Sequence, residues 1–249
     1  MNGKIPPLMF SNLHLIGFGD GGWGWALLSG AGVTISIALA TLPFGLALGL
    51  AIALMARSRS AVARWFATVY TTVFRGIPEL LTLYIIYFGV QILVQRGLEG
   101  VGIKGFSIHP FVAGMVALGI VLAAFSSEVW VGALNSIHKG QREAGAALGL
   151  SKAQIFRLVV FPQLMRVALP GLGNNWMVLL KETSLVSVIT LQDIMFIAQR
   201  GSSNTKEPLL FFATAALIYL AFSLVSWWFF ERLERRSNRG HAAFGGQTR

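Results

Sequence analysis

Charged and apolar residues are segregated along this chain on the length scale of a lipid bilayer. Residues 21–56 and 208–230 contain no Asp, Glu, Lys, Arg or His, and each is at least as long as the roughly 20 apolar residues that carry a helix across a hydrocarbon core. Residues 80–95 and 110–127 are two further apolar runs. Residues 167–192 make a fifth, interrupted by the adjacent Lys181 and Glu182. The alternation over about ten residues that marks an outer-membrane barrel is absent. Backbone polar groups in hydrocarbon must then be satisfied within each segment, which predicts an all-α integral membrane protein with five transmembrane helices. The first run is too long for a signal-peptide core and its leader has no Lys or Arg besides Lys4, so it is expected to remain as helix one.

Three stretches break the pattern. In "FRGIPELL" Pro78 lacks an amide proton and its ring would clash with the carbonyl of Phe74, so the helix should kink or break near Gly76. Gly45 and Gly49, four apart in the first run, suit close helix approach. The longest connection, 138–170, is too polar to span and too apolar for a solvated linker. Within it Ala144, Ala147 and Leu148 fall at helical spacing, Gly149 separates a second amphipathic turn beginning at Leu150 and Ser151, and Pro162 and Pro170 punctuate the end. Two short helices folded on each other, presenting a small apolar knob, are expected there. No repeat of 20–50 residues is visible, and no separate soluble domain.

Composition agrees with the membrane assignment: 55% of residues are hydrophobic and 12% charged, against about 25% charged in a soluble domain. The net charge of +10 is distributed by side rather than in a nucleic-acid-binding patch. Arg57, Arg59 and Arg64, then Lys139, Arg142, Lys152, Arg157 and Arg166, then Arg232, Arg235, Arg236, Arg239 and Arg249 occupy alternate connections. The remaining connections hold Lys4, Arg96, Lys104, Arg200 and Lys206. The positive-inside rule makes the first set cytoplasmic, with residues 1–21 periplasmic and 237–249 a cytoplasmic tail. There is no cysteine, which excludes disulfides and thiolate metal sites. His14, His109, His138 and His241 lack metal-ligand spacing, so no metal is expected.

Lys181 and Glu182 need a reason, since a charge at mid-bilayer costs about 2.5–3.5 kcal/mol. On ideal helix geometry Asn174, Lys181 and Gln192 fall within roughly 20° of one line, with Asn175, Glu182 and Asp193 on a parallel line about 100° away. Such a sector suits a hydrated path able to bind a zwitterion; the other reading is pairing with charges on other helices, such as Glu128. Adjacent positions do not face each other, so the two are not expected to satisfy one another. Glu128 reads as a gate, a structural ion pair or a substrate contact. Arg75, four before Glu79, reads as a gate, a sensor or an interfacial arginine that snorkels. The "SWWFFERLERR" cluster reads as an interfacial belt.

The chain resembles the permease subunits of bacterial ABC importers. Their signature is Glu-Ala-Ala, three residues, Gly, nine residues and Ile-x-Leu-Pro. Here Glu143-Ala144-Gly145, Gly149 and Val159-x-Phe161-Pro162 keep every interval. "FRGIPELL", "GQREAGAALGLS", "ALPGLGNNW" and "LLKETSLVSVI" look like the polar amino-acid branch, nearest the histidine/lysine/arginine/ornithine and opine (octopine/nopaline) type, over about residues 25–236.

The resemblance implies a type I importer domain over 22–236 in the bacterial inner membrane, moving a polar, basic amino acid from periplasm to cytoplasm. It implies a second related permease, two ATPase subunits and a periplasmic solute-binding protein as partners. Coupling to the ATPase would pass through Glu143, Ala144, Gly145, Gly149, Leu150 and Pro162. Substrate would be held by Asn175, Lys181, Glu182, Thr183, Ser184 and Glu128, with Arg75, Pro78 and Glu79 as gate or structural residues. In many relatives an acid stands where this chain has Asn175. The chain has no G-x-x-x-x-G-K-[ST] loop, so ATP and Mg belong to the partner ATPase, with no catalytic residues and no cofactor in this subunit. The alternatives are a permease for glutamine or glutamate, and a self-sufficient secondary transporter, which would often show repeated halves.

Overall fold

The computed structural model describes residues 12–100, 105 and 107–238. Lys4, Lys104, Arg239, His241 and Arg249, with most of the 1–21 and 237–249 segments, lie outside them. The described residues contain helices and connections and no strand. Their α-helices are α1 Gly24–Ala56, α2 Ala61–Gly76, α3 Glu79–Tyr84, α4 Gln91–Glu99, α5 Pro110–Ser136, α6 Lys139–Ala147, α7 Lys152–Gln154, α8 Phe161–Glu182, α9 Ile194–Thr205 and α10 Pro208–Asn238. A π-helical turn, Ile85–Val90, joins α3 to α4, and a second, Ile155–Val160, joins α7 to α8. Five helical segments are long and apolar enough to cross a membrane: Gly24–Ala56, Glu79–Glu99, Pro110–Ser136, Lys152–Ile189 and Pro208–Ser237.

The break expected near Gly76 is present. Gly76 ends α2, Ile77 turns to extended backbone, and its N–H still reaches the Val73 carbonyl at 3.0 Å. Pro78 then opens the next helix, its carbonyl accepting from Leu81 at 2.9 Å and Thr82 at 3.1 Å, where a missing amide proton costs nothing.

Two expectations fail on the fourth span. Pro162 and Pro170 do not end the 138–170 stretch; they lie within one helical path running from Lys152 to Ile189. The π turn immediately before Pro162 widens the helix where the proline ring would otherwise strike the preceding turn. The second short helix is therefore the base of the membrane span itself. The α-helix also ends at Glu182, followed by 3-10 turns over Thr183–Ile189 and a left-handed Thr190 with φ 65°. Gln192 and Asp193 thus do not extend the lines of Asn174–Lys181 and Asn175–Glu182.

The chain divides into two compact units. The first holds the described residues within 1–40, 83–117 and 180–223. Its core gathers Ala31, Ile194, Ala198, Phe211 and Ala215, with Trp23 edge-on to Phe211 at 5.8 Å. Asp193 is fully buried and caps α9, its Oδ1 accepting from the Phe196 N–H at 2.9 Å. Thr34 of α1 accepts from the Ile194 N–H at 3.3 Å. A Cβ at Gly30 would lie 2.9 Å from the Asp193 carbonyl oxygen, so α1 passes this cap as closely as backbone allows.

The second unit holds the described residues within 41–82, 118–179 and 224–249. Gly45 does serve close packing: a Cβ there would sit 2.6 Å from Leu122 Cδ2, and one at Gly49 would sit 2.9 Å from the Ala123 carbonyl oxygen. Ser126 donates to the Gly45 carbonyl at 3.4 Å and Trp130 to that of Leu46 at 3.2 Å, so α1 and α5 are also stitched by polar contacts. Trp130, Leu134, Val160, Leu164 and Leu172 form the apolar core beside them.

Burial pushes the Asp193 carboxyl up to about 6, against the lowering effect of the Phe196 and Met195 backbone N–H groups. The folded state therefore binds this proton more tightly than the unfolded one, for which 3.8 is the ordinary value. Stability from this group is complete below about pH 4 and is lost as pH rises through about 6, by at most about 3 kcal/mol. Asp193→Asn keeps a cap acceptor and cannot ionise. Melting of the detergent-solubilised protein between pH 4 and 7.5 should show the decline in the native chain and its loss in the variant; equal slopes would contradict the assignment.

Candidate functional site

The segment carrying the Glu143–Pro162 spacing forms a corner closed entirely by local hydrogen bonds. At the end of α6, Gly149 takes φ +74°, its N–H donating to the Ala146 carbonyl at 3.0 Å while the Leu150 N–H donates to that of Gly145 at 3.1 Å. These paired bonds satisfy the orphan carbonyls of a helix ended by a left-handed residue. Only glycine enters that region without a penalty of about 1–2 kcal/mol. Two residues on, Ser151 and Gln154 cap each other reciprocally: the Gln154 N–H donates to Ser151 Oγ at 3.3 Å, and Gln154 Oε1 accepts from the Ser151 N–H at 2.8 Å.

That corner fixes which way each motif residue faces. Gly145 is buried, and a Cβ there would stand 3.0 Å from Ile155 Cγ1, so a small residue is needed where α6 meets the base of the fourth span. Leu150 packs on the second unit's core. Glu143, Ala144, Ala147 and Pro162 are exposed. Leu148 is 79% exposed and forms the uncovered apolar tip expected of a knob.

The second cluster lies at the Pro78 break. Arg75, in the last turn of α2, reaches Glu128 of α5, Nη1 to Oε1 3.1 Å, with its guanidinium 5.7 Å from the Phe125 ring centroid. Arg75, Gly76, Ile77, Pro78, Glu79 and Phe125 border a cavity of about 410 Å³. Glu79 lies in the first turn of α3, where a carboxylate complements the helix dipole. The Tyr70 hydroxyl donates to the Ile120 carbonyl at 2.8 Å and holds α2 on α5. Burial pushes that phenol up to about 12, so it remains a donor at neutral pH. The structure places Arg75 in an ion pair with Glu128, a partner the sequence did not assign to it. Phe125 and Tyr70 were not singled out from the sequence; the spacing of Phe125 three before Glu128 was the available signal.

The third group is the end of α8 and the turns after it. Lys181 is exposed at the helix's C-terminal end, where a cation is favoured by the dipole, and among the described residues no carboxylate lies within ion-pair distance of it. Glu182 beside it is half-buried. Thr183 is fully buried and donates to the Leu180 carbonyl at 2.7 Å; Ser184 donates to that of Lys181 at 2.7 Å. These hydroxyls feed the backbone of the tight turn. Asn174 and Asn175 belong to the second unit, Asn174 exposed and Asn175 with its Nδ2 buried and, among the described residues, without a hydrogen-bond partner. Asp193 is absorbed as the α9 cap, and a Ser/Thr/Asp before an apolar run would have signalled this.

Comparison with known proteins places the chain in a family. Residues 45–239 match the family described as "Binding-protein-dependent transport system inner membrane component". The chain is 41% identical over 171 residues to the histidine/lysine/arginine/ornithine transport system permease protein HisQ of Escherichia coli K12, covering 69% of this chain and 75% of that one. It is 40% identical over 193 residues to the arginine ABC transporter permease protein ArtQ of the same organism, 70% and 79% covered. It is 42% identical over 184 residues to the octopine transport system permease protein OccQ of Rhizobium meliloti, 74% and 78% covered. Among solved structures, one described as an amino acid ABC transporter with histidines superposes with a TM-score of 0.71 at 32% identity, covering 86% of this chain and 95% of that one.

With side chains 45% and 52% exposed, the Arg75–Glu128 pair should contribute no more than about 1 kcal/mol. A double-mutant cycle of Arg75→Gln and Glu128→Gln, read by unfolding of the purified protein, should give a coupling in that range. A coupling above about 2 kcal/mol would show a desolvated, structurally essential pair instead.

Proposed function

The chain belongs to the family of inner-membrane components of binding-protein-dependent transport systems, and from that premise we propose that it carries a basic amino acid into the cytoplasm. It is the permease of an amino-acid ABC importer. In the proposed assembly it pairs with a second, related permease above two ATPase subunits, and a periplasmic solute-binding protein delivers the substrate. Residues 1–21 face the periplasm and the tail the cytoplasm, in keeping with the bias of Arg and Lys among the connections. The 40–42% identity to permeases named for histidine, lysine, arginine, ornithine and octopine supports a basic cargo. Glutamine or glutamate is the alternative.

The observation that carries the proposal is Lys181, an exposed ammonium at the end of α8 without a carboxylate partner among the described residues. It receives the α-carboxylate of the amino acid, and Glu182 orients the site beside it. A charge-assisted hydrogen bond in a water-poor path gains more than in bulk, and substrate neutralises a cation otherwise costly in a membrane. Asn175 offers an amide and no charge, so the acid that neutralises a cationic side chain comes from the companion permease. Arg75 and Glu128 form the gate beside the Pro78 break. The Gly149 corner seats Leu148 in the ATPase, so closure of the nucleotide sites moves the fourth span, which continues directly from that corner.

In proteoliposomes holding the complete importer, uptake should be strongest for arginine, lysine, histidine or ornithine; a preference for glutamine or glutamate would overturn the assignment of cargo. Lys181→Met keeps the stem and removes the charge. It should assemble, hydrolyse ATP at the basal rate and lose uptake about ten- to a hundredfold, the worth of a hydrogen bond to a charged group. Native uptake by this variant would remove Lys181 as a ligand, and failure to assemble would favour structural pairing. Gly149→Val should insert normally yet lose most substrate-stimulated ATP hydrolysis, whereas normal coupling would move the contact elsewhere.

A further inference from the structure

A second cavity, of about 460 Å³, opens beside the corner and none of the roles above uses it. Its lining includes Leu54 near the end of α1, Leu134 near the end of α5, and Ile155, Phe156 and Val160 of the π turn. Arg57, just after α1, reaches it from one side, and Arg142 of α6 and Lys152 of α7 from the two arms of the corner. All three cations are exposed, and among the described residues none lies within ion-pair distance of a carboxylate. Three cations around one opening create a positive potential there that favours an anion.

The floor narrows the class of anion. Leu134, Ile155 and Val160 are buried, whereas Leu54 is 50% and Phe156 40% exposed. A free inorganic anion gains nothing from an apolar floor, but an amphiphile uses both parts. The size lies within the roughly 300–1,000 Å³ of small-molecule sites. We propose that this cleft binds an anionic phospholipid, its phosphate held by Arg57, Arg142 and Lys152 and its acyl chains running along Leu54 and Phe156.

An acidic surface of a soluble partner is the competing occupant, and position decides against it. Leu54 and Leu134 each sit two residues from the last residue of a membrane-spanning helix, which places the floor at the membrane boundary. The uncovered tip at Leu148 does not line the cleft. A lipid in this position would brace the base of the fourth span where it leaves the corner. Basic pockets at the ends of spanning helices are suited to phosphate-bearing headgroups.

The test uses the intact importer, with its partner subunits, in detergent and native mass spectrometry. Dioctanoyl phosphatidylglycerol is titrated against dioctanoyl phosphatidylcholine, with inorganic phosphate as competitor. The native chain should retain phosphatidylglycerol, retain phosphatidylcholine far less, and keep the lipid in a tenfold excess of phosphate. Arg57→Gln, Arg142→Gln and Lys152→Gln should each weaken retention about fivefold, and the triple variant should fall to the phosphatidylcholine level. Arg235→Gln with Arg236→Gln, at positions that do not line this cavity, should change nothing. Equal retention by the single or triple variants, equal binding of the zwitterionic lipid, or displacement by phosphate would overturn the proposal. A triple variant that keeps its lipid but sheds the ATPase would make this a protein-docking face. Should the triple variant not assemble, the three single variants decide.

Discussion

Inside a bilayer every backbone N–H and C=O must find its partner within the chain, and that constraint explains where this protein places its chemistry. Long stretches such as 24–56 meet it by being uninterrupted helix. Wherever a helix must end, a side chain or a special backbone conformation has to take over the orphaned groups. Three such endings carry or adjoin much of the polar chemistry: the Ile77–Pro78 break, the Gly149 corner, and the end of α8 with the turns from Lys181 to Asp193. Each is completed locally, by Pro78 at a helix start, by paired bonds around Gly149 with the Ser151–Gln154 box, and by back-bonded hydroxyls with the Asp193 cap.

The endings differ in stiffness. Around Gly149 four backbone and side-chain hydrogen bonds between residues 145 and 154 fix the geometry, and Gly145 is pressed on Ile155. At the Pro78 break the tie is a half-exposed ion pair, strengthened by the ring of Phe125, that water can replace at little cost. A stiff corner transmits displacement and a weak pair can open, which matches the coupling and gating roles proposed for them.

Sequence patterning located the starts of α1, α5 and α10 to within three residues because each opens on a long apolar run preceded by turn residues or charges, whereas α5 and α10 run on past their apolar stretches, α5 through Glu128 to Ser136 and α10 through the charged residues after Phe230 to Asn238. It also located the Pro78 break and the Gly149 corner, since proline and glycine act through backbone sterics that depend little on tertiary context. It misjudged the fourth span for a physical reason. "TSLVSVIT" is apolar enough to read as helix, yet its hydroxyls stabilise 3-10 turns by bonding to nearby carbonyls, which hydropathy does not register. Pro162 and Pro170 read as stops because a π turn upstream, which hides the strain of the first, has no compositional mark. The meeting of Arg75 with Phe125 and Glu128, and of Arg57 with Arg142 and Lys152, joins segments far apart in sequence and is a product of tertiary folding.

The central claim, that the Gly149 corner is the surface gripped by the ATPase, is open to a direct measurement because the chain has no cysteine of its own. Leu148→Cys introduces one thiol at the exposed tip, and its reaction with a soluble maleimide can be timed in the permease alone and in the assembled importer. Fast labelling of the free chain and strong protection in the complex is the expected result, with protection lost when the ATPase is stripped away. Equal labelling rates in both states would contradict it.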